Sequence, residues 1–507
     1  MSRRPTLIGL VLCLLLSLSP FTAHAYSNGQ TASIALGQPN LTGDYSATSQ
    51  TGLTSNGYAD PQYSGVAVDT SGDIWVADSG NNRVLEFASP WSNGEKASLV
   101  LGQPDFKSSS AATTASGMND PRGVFVDKGG NVWVADSGNN RVLEFLWARI
   151  LPLPGPLVKS IVAIGFTNGQ AASLLVGQQD FKSSSAATTQ TGLNFPTGVA
   201  IGPAGNLWVA DNKNNRVLQF THPFSNGEKA SLALGQDGYK SSAESTDQYG
   251  LWHPYGIAVD SHGNVWVADS GNSRVVEFDS NHVQNQVENI VLGQPSFSYD
   301  SPVTSKTGMS SPLGVTVDAH GNVWVADSGN NRVLEFLKGK GFTDAQAGYL
   351  VLGQSGFTSS TLAYTAFGPT DTSSTGLGHP TGVAVDSRGN IWVADSDNDR
   401  VLQFRSATTT KVSCVPDTVH TGNSSCTFTV SNTGKVTVSP SGTVMVTSTG
   451  PVKASGSCTI SWSGSSASCT LSINTDIVGT YSVAATYGGD GRHLGSTGTA
   501  TVTVSIG

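Results

Sequence analysis

Most of the chain alternates short β-branched or apolar runs with turns rich in Gly, Asn, Asp and Ser. Residues 65–87, GVAVDTSGDIWVADSGNNRVLEF, show the unit. GVAVD and IWVAD are strand-length runs separated by a Gly-containing turn, and RVLEF follows a polar turn, which predicts three antiparallel strands. A fourth run follows downstream: ASLVLGQ ending at Gln103, ASLLVGQ at Gln178, ASLALGQ at Gln236, NIVLGQ at Gln294 and YLVLGQ at Gln354. Each unit is therefore expected to be a sheet of four strands.

The unit recurs. Its tryptophans, Trp75, Trp133, Trp208, Trp266, Trp324 and Trp392, are separated by 58, 75, 58, 58 and 68 residues. A fixed unit of four strands repeated in this way predicts a β-propeller, here with six blades. The sixth copy stops at Phe404 without a fourth strand, while a spare fourth strand, TASIALGQ, stands at 31–38. That strand is expected to complete the last blade and so remove the open edges of the array. At these residues the chain resembles the NHL-repeat family of six-bladed propellers, over about residues 27 to 405. The resemblance is specific for fold and weak for activity, since the family includes binding modules, lyases and hydrolases.

The ends have other patterns. Residues 1–25 read as a signal peptide: Arg3 and Arg4, an apolar run from Leu7 to Leu18, and Ala23-His24-Ala25 as a cleavage site. The propeller is assigned to 26–405 and a linker to 406–410. Residues 411–507 alternate Thr, Val and Ser in strand-length runs and predict a β-sandwich; its last stretch, 479–504, resembles bacterial Ig-like domains. The fold class is thus all-β, a propeller followed by an Ig-like sandwich.

Four of the five cysteines, Cys414, Cys426, Cys458 and Cys469, fall in this last domain. In an exported chain they read as disulfides, with Cys414 to Cys426 and Cys458 to Cys469 preferred as pairs flanking neighbouring strands. His420 and His493 read as surface residues. The location is extracellular, cell-surface or periplasmic, and no later segment is long and apolar enough to span a membrane. Formal charge is −9 for the whole chain. Without Arg3 and Arg4 it is −11, which disfavours nucleic acid as a partner.

Candidate chemistry falls into two groups. Asp78, Asp136, Asp211, Asp269, Asp327 and Asp395 each precede an Arg by five positions, and read as turn closure and strand bridging rather than catalysis. ADSDNDR at 394–400 reads as the same turn, because it lacks the Gly and the bidentate Glu of a calcium loop. The second group is not repeated. The residue before the Pro that enters each first strand varies: Asp120, Phe195, His253, Ser311 and His379. Asp120, His253 and His379 come from alternate blades, and the family resemblance implies a pseudo-threefold arrangement like the three histidines of its zinc lyases. A divalent metal such as zinc is the alternative to no cofactor. The insertion LWARILPLPGPLVKSIVAIG, 146–165, reads as a flap between the third and fourth strands of blade two.

Two readings of function result. The preferred one is an exported, non-enzymatic binding or scaffold protein whose long loops engage a protein, peptide or glycan. The alternative is a metal-dependent lyase or hydrolase at the channel mouth.

Overall fold

The computed structural model describes residues 26–54, 65–152, 160–362, 373–405, 408–415, 418–419, 422–432, 440–449, 454–463, 466–475, 477–490, 493 and 495–504. The signal-peptide segment 1–25 and His420 lie outside the described residues.

Six four-stranded antiparallel sheets form the blades. Blade three shows the order: Pro196–Ile201, Leu207–Asp211, Arg216–Phe220 and Leu232–Leu234. In blade six, Pro380–Val385, Ile391–Asp395 and Arg400–Phe404 are joined by the N-terminal strand Ile34–Leu36, which pairs with the third strand.

The second strands are apolar at successive positions because blades pack on both their faces. IWVAD and VWVAD are buried throughout. The core accordingly lies between blades: Trp75, Ala77 and Val84 of blade one pack with Val124, Val132 and Leu143 of blade two. First strands converge on the axis, which explains the Gly after each Pro-x. A Cβ on Gly198 would stand 2.3 Å from the Tyr255 carbonyl oxygen of the next blade. On Gly123 it would stand 2.4 Å from that of Thr197. Only glycine lets the neighbouring backbones approach this closely.

Side chains stitch neighbouring blades at three levels. Each repeat Trp meets, edge-on, a ring from the following blade: Trp75–Phe166, Trp133–Phe224, Trp208–His282, Trp266–Phe342 and Trp392–Trp91, with Tyr26 of the N-terminal segment completing the series on Trp324. At the rim, Asn93, Asn168 and Asn226 accept the backbone N–H of Ala35, Val100 and Leu175 in the preceding blade's fourth strand. Asn28 does the same for Val351. The third level, on the upper face, belongs to the candidate site.

The insertion in blade two is a β-hairpin, Ala148–Pro152 paired with Ser160–Ile164. After Phe404 the first sandwich strand runs Thr408–Val415, so it takes in residues assigned to the linker from sequence. The sandwich stacks a four-stranded sheet on a five-stranded one around Phe428, Val446, Tyr481 and Val502. Strand Thr443–Thr449 alternates exposed and buried positions, the period of a sheet with one wet face. Cys414–Cys426 joins directly paired strands, whereas Cys458–Cys469 joins the two sheets rather than neighbours in one sheet. His493 is a correction: it is fully buried, its Nδ1 2.8 Å from Asp490 Oδ1. Burial with a carboxylate partner replaces the surface position expected from an isolated His.

Candidate functional site

The loops from strand four to the next strand one, and from strand two to strand three, share the upper face. The repeated Asp and Arg hold those loops. Asp78 Oδ2 accepts from Arg83 Nε at 2.7 Å and Asn81 Nδ2 at 2.9 Å, while Oδ1 accepts the Thr54 N–H at 2.9 Å. The Arg83 Nη atoms donate to the carbonyls of Phe106, Ser49 and Gly52. All six pairs are fully buried. They are structural, as their repetition implies: each Arg bridges from the third strand to the Asp of the second, and it also grips long loops on either side. The Gln ending each fourth strand adds to this grip. Gln103 Nε2 donates to the carbonyls of Asn82 and Ser110, and Gln38 does the same to Asp399 and Tyr45.

This frame sets the residues at the mouth of the channel. Asp120, Phe195, His253, Ser311 and His379 all have positive φ, between 43° and 58°. That conformation is costly for a non-glycine residue, and more so before Pro. A partner from the preceding blade holds each one: the Asp120 N–H donates to Asn82 Oδ1 at 2.8 Å, that of Phe195 to Asn140 at 2.7 Å, that of His253 to Asn215 at 2.8 Å, that of His379 to Asn331 at 3.0 Å, and that of Ser311, at 3.4 Å, to the Ser273 hydroxyl. The backbone is thus fixed identically while the side chains differ.

The structure does not gather Asp120, His253 and His379 into a ligand set. Among the described residues, the one group of three acidic, His or Cys side chains whose ligand atoms lie within 4.8 Å of one another is Asp69, Asp73 and Glu86, elsewhere in blade one. Those carboxylates already accept the Trp75 indole N–H, the Ser89 N–H and the Ser98 hydroxyl. Asp120 is paired with Arg122 at 2.9 Å. His379 Nδ1 bonds Asp397 Oδ2, and this hydrogen bond raises its pKa against the opposing effect of burial. His253 is exposed beside the Trp252 ring.

Sequence reasoning missed the residue after each Pro. Arg122, Thr197, Tyr255, Leu313 and Thr381 line the channel. The available signal was the variable x in an otherwise fixed P-x-G. Burial alone would lower the Arg122 pKa, but its interactions with Tyr255 and Asp120 outweigh this and raise it. Two cations stand over the Phe195 ring, Arg122 Cζ at 4.5 Å and Lys213 Nζ at 4.3 Å from its centroid, an arrangement favourable to the ring quadrupole.

The model of the NHL repeat matches residues 64–87, 118–145, 193–220, 251–278, 309–336 and 377–404, one match in each blade just described. The chain belongs to the NHL-repeat family. The chain is similar to part of human teneurin-4, 24% identical over 261 residues, and to part of human teneurin-1, 24% over 246. The first match covers 46% of this chain and 8% of teneurin-4, so the chain spans under a tenth of these relatives' length. Among solved structures, a streptogramin B lyase is similar at 12% identity and a TM-score of 0.38, over 69% of this chain and 95% of that one. A gluconolactonase from Xanthomonas campestris is similar at 15% identity and a TM-score of 0.39, over 74% of this chain and 98% of that one.

Proposed function

We propose that this NHL protein is an exported binding protein that engages a protein, peptide or glycan ligand at the upper mouth of its channel. One observation carries the reading. Side chains that differ from blade to blade, Asp120 with Arg122, Phe195 with Lys213, and His379 with Asp397, stand on backbone positions that the repeat holds in one geometry. A constant frame presenting a variable set of aromatic and charged groups is suited to recognition. The two disulfides fit an exported protein. The test is a peptide and glycan array probed with protein 26–507, followed by titration of its best ligand. Substituting Phe195→Ala and Lys213→Ala should weaken that ligand at least tenfold. An array without a saturable ligand, or one whose affinity both substitutions leave intact, overturns the proposal.

A further inference from the structure

The lower face carries a second concavity that the function above does not use. A bowl of 720 Å³ is built from strand-one-to-two turns of blades two to five and from the loop after strand three of blade three. It opens from the lower end of the channel, with which it shares Phe125, Val126, Val259 and Val317. Its volume lies in the range of small-molecule sites, roughly 300–1,000 Å³.

Two departures from the repeat shape it. Phe125 stands where the other blades have Ala67, Ala200, Ala258, Thr316 and Ala384. Gly202 stands where they have Asp69, Asp127, Asp260, Asp318 and Asp386. The first adds an aromatic wall beside Trp133 and Phe224; the second removes a side chain from the floor. Trp75, Trp133, Trp324 and Trp392 donate their indole N–H to that Asp. Trp208, only 2% exposed, has no hydrogen-bond partner among the described residues, and Trp266 Nε1 has none either, although its blade keeps Asp260. The Trp208 Nε1 would lie 3.4 Å from a Cβ on Gly202.

The bowl also holds a carboxylate without a donor. Glu144 occupies the position of Glu86, Gln219, Glu277, Glu335 and Gln403. The side chains of those five hydrogen bond to Ser98, Ser231, Asn289, Asn322 and Arg405, whereas the Glu144 carboxylate has no hydrogen-bond partner among the described residues. Burial, and then the neighbouring Asp127 carboxylate, push its pKa up to about 7. The bowl's other acids are engaged: Asp127, Asp260 and Asp318 each close a turn through backbone N–H groups and an Asn amide.

We propose that the bowl is a separate binding site for a small organic cation, an amine or ammonium group on an apolar, ring-sized body. The ammonium would supply the charge and donor that Glu144 lacks, and aromatic walls favour cations. The apolar body would cover Phe125 and Phe224.

The test is calorimetric titration of protein 26–507 with 2-phenylethylamine and benzyltrimethylammonium, against neutral 2-phenylethanol and anionic 3-phenylpropionate. The cations should saturate, the alcohol should bind at least tenfold more weakly than the amine, and the acid should not bind. Glu144→Gln should weaken the cations at least tenfold. Gly202→Asn should do the same, because it fills the floor without adding a charge and keeps close to the side-chain size that the five other blades carry there. Failure of both cations to saturate at millimolar concentration overturns the proposal. So does equal binding of amine and alcohol, or wild-type affinity in both variants. Phe195→Ala and Lys213→Ala should leave this binding unchanged, which separates it from the upper-face site.

Discussion

Arg274 faces two buried carboxylates where its counterparts face one. Asp269 lies 2.7 Å from Nε and Glu288 3.2 Å from Nη2, all with no exposed side-chain surface. The other blades carry Ala32, Ala97, Ala172, Ala230 and Gly348 at the place of Glu288. Burial raises the Glu288 pKa well above its ordinary value; Arg274 opposes the rise, and Asp269 and Asp247 add to it. Glu288 Oε2 has no hydrogen-bond partner. A carboxyl whose folded pKa exceeds its unfolded value contributes its full stability below the unfolded value, about 4.3, and loses it as pH rises toward the folded value. Glu288→Gln, which mimics the neutral form, should therefore gain in melting temperature over the wild type between pH 5 and pH 8. The gain at pH 8 should correspond to about 1–3 kcal/mol, the usual scale for an unsatisfied buried polar group. Scanning calorimetry at the two pH values checks this; a difference that does not change with pH would count against it.

Within each blade, the second strand, turn and third strand form a clamp for the upper loops. Arg141 binds Asp136 at 2.7 Å, reaches the Phe181 carbonyl in one loop, and reaches the Thr114 and Gly117 carbonyls in another. Removing Arg141 alone would strand a buried Asp136, a loss of about 3–5 kcal/mol. Removing both charges, as in Asp136→Asn with Arg141→Met, should recover most of that stability yet leave both loops unclamped. Limited trypsin digestion should then cut after the exposed Lys107 and Lys182 at least tenfold faster than in the wild type. Unchanged cleavage in the double variant would refute the clamp. The structural role of the pair was legible, because a site needed in all six blades is a poor candidate for one-off chemistry. Its reach was not, because the arginines bind backbone carbonyls, which any residue supplies. The mouth was legible in part. Asp120, His253 and His379 stood out by varying before Pro, but a positive φ imposed by an Asn one blade away leaves no local signature. Their packing apart, and the pairing of Asp120 with Arg122, depended on that geometry.

Closure of the ring is a property of the whole chain. The N-terminal segment contributes four contacts that continuous sequence supplies elsewhere: the strand Ile34–Leu36, Tyr26 against Trp324, Asn28 on Val351, and Gln38 under the upper loop. YSNGQTASIALGQ, 26–38, matches FSNGEKASLALGQ, 224–236, in most positions. The segment thus carries both the fourth strand and the loop before it, and the loop supplies the links to blade five. Deleting 26–38 should leave the edge of Arg400–Phe404 unpaired and the Trp324 ring uncovered. A free, apolar strand edge templates pairing with another chain. The truncated protein should therefore melt lower and form concentration-dependent oligomers, read by light scattering. A synthetic peptide of residues 26–38, added in excess during refolding, should restore the monomer by filling that edge. The same peptide with Tyr26→Ala and Asn28→Ala should pair with Arg400–Phe404 but rescue less, since it lacks both links to blade five. A truncated chain that remains monomeric with an unchanged melting temperature would show that blade six closes the ring without its fourth strand.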